Sequence, residues 1–123
     1  MKSFLYFAIL AAAVPLLEAE QFIQGHGGQK VFTDIVLTRD ILQCHQGIIV
    51  AADNIVIDGG GHSISGTGWG NGITCLERHN VTIKNCVISN FKNGILISSD
   101  SKDEKKPVSH GHRVEDNTLV HNQ

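Results

Sequence analysis

The chain has 123 residues, 41% of them hydrophobic, with 10 basic and 12 acidic side chains and a formal charge of −2 at neutral pH. That length suits one domain, and the near balance of charge, without a basic face or Arg-rich run, argues against nucleic acid as a partner. The three cysteines, Cys44, Cys75 and Cys86, show no CxxC or CxxxC spacing for a thiolate zinc site, and in an oxidising compartment they admit one disulfide and leave one thiol over.

The N-terminus opens with the positive pair Met1-Lys2, followed by an apolar run from Phe4 to Leu17 and a cleavage-type ending at Glu18-Ala19. This pattern predicts a secretory signal peptide over 1–19, and so a secreted protein, extracellular or periplasmic. The run is shorter than the roughly 20 residues a membrane span needs. Leu17 stands where a small residue is preferred, so an uncleaved buried helix is the competing reading. No integral membrane span is expected once the leader is removed. Residues 20–30 then form a lead-in.

From there the chain repeats itself. Gly47-Ile48-Ile49-Val50 is echoed by Gly72-Ile73-Thr74-Cys75 and by Gly94-Ile95-Leu96-Ile97. The steps between the three glycines are 25 and 22 residues, a repeat length that signals a solenoid. A second apolar phrase follows each: Ile55-Val56-Ile57, Val81-Thr82-Ile83 and then Val114. A third comes after: Ser63-Ile64, Val87-Ile88 and Thr118-Leu119. Apolar side chains at the first and third positions after each glycine follow the two-residue period of a strand. β-Branched residues dominate, as short strands prefer, and Asn, Asp and Gly fill the intervals with turn formers. Three short strands per repeat, one repeat per turn of the coil, predict a parallel β-helix over 31–123. A charged loop insertion at 98–110 contains Lys102-Asp103-Glu104-Lys105-Lys106-Pro107.

Aligning Ile57, Ile83 and Val114 sets the register. Cys75 then falls in line with Val50 and Ile97, as core. Cys86 falls in line with His62 and Asn117 at a corner, where side chains are expected to turn inward and bond backbone. Asp58, Lys84 and Glu115 form an acid-base-acid column on the outside, whose neighbours lie about 4.8 Å apart.

The run Leu37-Thr38-Arg39-Asp40-Ile41-Leu42-Gln43-Cys44, with Gly47 through Gly66, resembles the opening of secreted right-handed parallel β-helix repeat proteins of the pectate-lyase-like superfamily. Asn80-Val81-Thr82-Ile83-Lys84-Asn85 and Val114-Glu115-Asp116-Asn117-Thr118-Leu119 resemble their later rungs. The resemblance implies an all-β, right-handed parallel β-helix of about four rungs. It says less about activity, because that superfamily holds pectate lyases, polygalacturonases, carbohydrate-binding surface proteins and a periplasmic copper-associated accessory protein of nitrous-oxide reductase. Many relatives carry an early cysteine that can pair with the one at position 44; residues 21–30 here hold none. Relatives are also longer. A coil ending soon after a rung begins is expected to leave unpaired strand edges, which invite aggregation or stacking on itself or on another β-helix; a truncated product or a fragment are the other ways to read it.

Few residues suggest chemistry. The resemblance implies paired aspartates and Gly-His-Gly and Arg-Ile-Lys motifs for a hydrolase. Here no Asp-Asp pair occurs, Gly25-His26-Gly27 precedes the first rung, and His110-Gly111-His112-Arg113 matches only superficially. A lyase needs an acidic cluster for Ca²⁺ and a basic residue as general base. Asp58, Glu115 and Asp116 are the candidate acidic face, with Lys84 and Arg113 beside them; a solvated ladder is the plainer reading. His79 aligns with His110, or with His112 if the insertion shifts the register. Stacked imidazoles can share Cu²⁺ or Zn²⁺, and ordinary turn histidines are the alternative. Asn80-Val81-Thr82 is an N-glycosylation acceptor sequence. Trp69, the sole tryptophan, lies with Asn71 in Gly66-Thr67-Gly68-Trp69-Gly70-Asn71-Gly72; it is placed either to stack on a sugar ring or to cover the coil wall. Together these features predict a secreted, non-catalytic β-helix protein associated with polysaccharide or cell-surface glycan through Trp69 and Asn71. The alternatives are the N-terminal part of a pectate-lyase-like or polygalacturonase-like enzyme, and a copper-associated accessory protein.

Overall fold

Short alternating runs, each stopped by Asn, Asp or Gly, become twelve strands in the computed structural model, which describes residues 28–99 and 109–123. The expected leader, most of the lead-in, Gly25-His26-Gly27 and the charged core of the insertion lie outside the described residues. The strands are β1 (Gln29–Val31), β2 (Ile35–Val36), β3 (Ile41–Cys44), β4 (Ile48–Val50), β5 (Val56–Asp58), β6 (Ser63–Gly66), β7 (Asn71–Leu76), β8 (Thr82–Lys84), β9 (Val87–Ser89), β10 (Asn93–Ser98), β11 (Arg113–Glu115) and β12 (Thr118–Val120). They form three parallel four-stranded sheets, ordered β1-β4-β7-β10, β2-β5-β8-β11 and β3-β6-β9-β12. Every third strand therefore lies on its predecessor. The fold is a parallel β-helix of four rungs, β1–β3, β4–β6, β7–β9 and β10–β12, with walls A, B and C in that order. Among the described residues no helix is long and apolar enough to cross a membrane.

The register agrees with the sequence alignment. Ile57 pairs with Ile83 and Ile83 with Val114, and Ile97 pairs with Cys75. Inward side chains therefore stack in columns along the axis. One column is Ile35, Ile57, Ile83 and Val114; another is Ile41, Ile64, Ile88 and Leu119. Burying each isoleucine contributes about 1.5–3 kcal/mol. The glycine that opens each wall-A phrase has a steric cause. A Cβ on Gly47 would strike the carbonyl oxygen of Gly72, and one on Gly72 would lie 2.5 Å from that of Gly94.

The tight corners share one device, a residue in the left-handed region followed by one that points inward. Asn54, Asn80 and Gly111 have φ of 60°, 57° and 77° at the A-to-B corner; Ile55, Val81 and His112 follow them. Asn85 and Asp116, both at φ 56°, precede Cys86 and Asn117 at the B-to-C corner. Asn90 and His121, at φ 62° and 54°, precede Phe91 and Asn122 at the C-to-A corner. Asparagine and aspartate tolerate this region best after glycine. Rungs 1 and 2 take a longer B-to-C corner, and there His62 does not turn inward. Its Nδ1 lies 3.2 Å from Asp40 Oδ1, and Asp40 also accepts from Ser63 N at 2.9 Å. These two bonds, that from Ser63 first, hold the exposed Asp40 carboxyl below the usual carboxylate range.

Cys44, Cys75 and Cys86 are all free and buried. They stand on different parts of the coil: wall C of rung 1, wall A of rung 3 and a corner of rung 3. Burial pushes the Cys44 thiol up, Cys75 to about 11 and Cys86 to about 12, so all three act as core side chains.

Candidate functional site

Three places on the outside of the coil gather the residues singled out by sequence: the A-to-B edge with the histidines, the outer face of wall B with the acids, and the C-to-A edge with Trp69.

On the A-to-B edge, Asp53, His79 and His110 occupy successive rungs. His79 and His110 pair as an isolated parallel bridge, with ring centroids 4.6 Å apart and planes tilted by 52°. Asp53 Oδ1 accepts from the His79 backbone N–H at 3.0 Å. Nδ1 of His79 and Nε of Arg78 are buried and without a hydrogen-bond partner. His112 does not join the pair, because it is the inward residue of its corner. Its Nδ1 accepts from Val81 N at 3.2 Å, and its Nε2 lies 2.7 Å from Ser109 Oγ. Among the described residues, no group of three or more His, Cys, Asp or Glu side chains is placed to hold a metal ion. Of the three histidines, the fold brings two together.

The contact between Ser109 and His112 looks like a nucleophile and its base, but the hydrogen bonds run the wrong way. Nδ1 accepts a backbone proton, so Nε2 carries the ring hydrogen and donates it to Ser109 Oγ. The Ser109 hydroxyl donates in turn to the Arg78 carbonyl at 2.6 Å. An activated serine must instead donate to an imidazole whose facing nitrogen is bare. The network is a corner brace that ties rung 4 to rung 3. The sequence signal for it, a serine three residues before a histidine, is too common to have been read.

On the outer face of wall B, Asp58, Lys84 and Glu115 do line up, as Asp58↔Lys84 and Lys84↔Glu115. The acids nevertheless bond elsewhere. Asp58 Oδ1 accepts from Gly60 N at 2.8 Å and from Asn85 Nδ2 at 3.2 Å. Glu115 Oε1 meets Arg113 on its own strand at 3.4 Å. Asp116 sits in the left-handed corner position beyond Glu115. Asp58 and Glu115 lie two rungs apart, with Lys84 between them.

On the C-to-A edge, the turn from Thr67 to Gly70 projects from rung 2. Gly68 and Gly70 have φ of 97° and 65°, conformations that glycine adopts without penalty. Between them Trp69 is 72% exposed. One rung back, His45 Nδ1 lies 3.0 Å from Thr67 Oγ1. One rung on, the backbone N–H groups of Lys92 and Asn93 both donate to Gly70 O, at 3.0 and 3.2 Å. Asn71 lies at the start of β7, and its amide is engaged within the coil. Its Nδ2 donates to Thr74 Oγ1 at 3.1 Å, and its Oδ1 accepts from Asn93 Nδ2 at 2.9 Å. The structure thus separates two neighbours in sequence: Asn71 is a rung of an internal amide ladder, and Trp69 faces solvent.

No protein-family model, no curated protein and no solved structure matches this chain. The parallel β-helix and the geometry of its edges are what define it.

Proposed function

We propose that the protein is a secreted, non-catalytic β-helix that associates with polysaccharide or cell-surface glycan through the edge carrying Trp69. The observation behind this reading is the indole itself. It is 72% exposed, yet stands on a turn whose two ends are hydrogen-bonded to rungs on either side. A large flat ring held this way offers an apolar face at low entropic cost, with a polar N–H at its rim. The sugar ring is a fitting partner, since its own apolar face is bordered by hydroxyls. His45, Thr67 and Lys92 supply polar groups along the same edge. Among the described residues the acids of wall B are bonded to their own neighbours and His112 braces its corner, whereas Trp69 is exposed.

Trp69 is the sole tryptophan, so its fluorescence reports directly on its surroundings. Titration with oligogalacturonate, xylo-oligosaccharides and chito-oligosaccharides is expected to give a saturable change with one of these classes. Trp69→Ala is expected to abolish retention of the protein by that polysaccharide in affinity electrophoresis while leaving the far-UV circular dichroism unaltered. Fluorescence indifferent to every class, or retention unaffected by the substitution, overturns the proposal.

A further inference from the structure

Among the asparagines of the chain, Asn80 alone is followed two residues on by Ser or Thr, with Val81 between. The fold does not account for that pairing. Asn54, Asn85 and Asn90 take the same left-handed corner conformation with no hydroxyl at the second position after them. Thr82 pairs with Val56 on one side and Arg113 on the other, so wall B requires no hydroxyl at this register.

The geometry suits the asparagine to attachment. Asn80 is exposed at the A-to-B corner of rung 3. Val81 turns inward and is 1% exposed, so the two residues that flank it lie toward the outside. Asn80 Nδ2 donates to Asn54 Oδ1 at 3.0 Å, its one hydrogen bond among the described residues. A primary amide carries two hydrogens. One bond to a sugar replaces one of them, and the other still reaches Asn54. One rung on, the same column holds Gly111, where a Cβ would strike Asn80 Oδ1. Glycine there gives the amide its room.

We propose that Asn80 is an N-glycosylation site whose oligosaccharide projects from the A-to-B edge. The donor is an oligosaccharide joined through its anomeric carbon to a lipid diphosphate. Nδ2 forms a C–N bond at that carbon, the C–O bond to the diphosphate breaks, and the lipid diphosphate leaves with the proton lost from Nδ2. Asn80 meets this donor on the way out of the cell, so the assignment rests on the secretion proposed above. In the finished coil the local backbone is already committed: Asn80 N donates to His110 O, Thr82 N to Ile55 O and Arg113 N to Val81 O, at 2.9, 3.0 and 3.0 Å. Transfer therefore precedes the closing of rung 3, and a variant that folds poorly is modified no less than one that folds. The glycan adds a hydrated, bulky group to an edge that does not carry Trp69. Wall A stands between the two edges, so the indole stays free.

The test is translation of the full chain with endoplasmic-reticulum vesicles that carry the transferase. The expected product is protected from added protease, migrates more slowly than the unmodified chain, and returns to the unmodified position with peptide N-glycosidase, which leaves aspartate at position 80 in the peptide mass spectrum. Asn80→Gln and Thr82→Val are each expected to abolish the shift, and Thr82→Ser, which keeps the hydroxyl, to retain it. A chain that enters the vesicles and stays unmodified overturns the site alone. A chain that stays outside them overturns the secretion reading and the site with it. A shift that survives Asn80→Gln or Thr82→Val also overturns the site.

Discussion

Rungs 1 and 4 are built on the same plan and end in opposite states. In one inward column Ile41 is 2% exposed and Leu119 52%; in another Ile35 is 1% and Val114 47%. The inward corner residues also change character. Rung 3 uses Val81, Cys86 and Phe91, all buried. Rung 4 uses His112, Asn117 and Asn122 at the same positions, and each accepts a hydrogen bond from the backbone N–H of its predecessor, at 3.2, 2.9 and 3.0 Å. The comparison teaches that the last rung is held less by apolar burial than by polar clips at its three corners. A solenoid's stability is a sum of rung and interface contributions, so the two ends should respond to different substitutions.

Ile41→Ala should show the largest effect. It removes a fully buried column member and is expected to cost about 2–5 kcal/mol in urea unfolding; a cost below about 1 kcal/mol would mean that rung 1 frays independently. Asn117→Ala should come next. It strands the Cys86 N–H and also the Ile83 carbonyl, which accepts from Asn117 Nδ2 at 2.9 Å. The expected loss is about 1–3 kcal/mol, and native-state hydrogen exchange should show it as selective opening of rung 4. If Asn117→Ala instead destabilised all rungs equally, the clips would not be local. High pH probes the core of rung 3. The Cys86 thiol is raised by burial from 9.0 to about 12. A raised folded value stabilises fully below the unfolded one, and that contribution is lost as pH climbs from about 9 toward about 12. Unfolding midpoints measured across that range should fall, and should fall less in Cys86→Ala. The smallest effect belongs to Leu119→Ala, expected to cost under about 1 kcal/mol in urea unfolding because Leu119 is already 52% exposed.

Much of this architecture was legible in the sequence, because a two-residue period and a recurring step between glycines report directly on pleat and rung. The alignment of Ile57, Ile83 and Val114 carried the register of wall B intact. Rung 1 was less legible. Gln29-Lys30-Val31 has no Gly-Ile phrase, and only its pairing with Ile48, Ile49 and Val50 reveals it as a strand. Alignment also could not tell proximity from bonding. Asp58 and Lys84 are cross-rung neighbours, yet the carboxylate prefers the nearby Gly60 N–H, two residues on. A long lysine loses rotamer freedom in an exposed pair and gains little. The site was legible only as residue types. That Trp69 faces solvent while Asn71 joins a ladder follows from the left-handed glycines on either side of the tryptophan, which sequence marks as a turn without giving its direction.

The insertion between β10 and β11 has a consequence for how the chain folds. On wall B, Val56 pairs with Thr82 and Thr82 with Arg113, and the second of these steps along the chain is the longer. Loop-closure entropy grows only with the logarithm of length, so the added length costs about 0.2 kcal/mol. Each rung thus closes a loop of nearly the same difficulty, wherever along the coil it forms. Assembly can start at any rung and zip in either direction, and the connection from β10 to β11 is the place where the chain can accept further length with the least effect on that process.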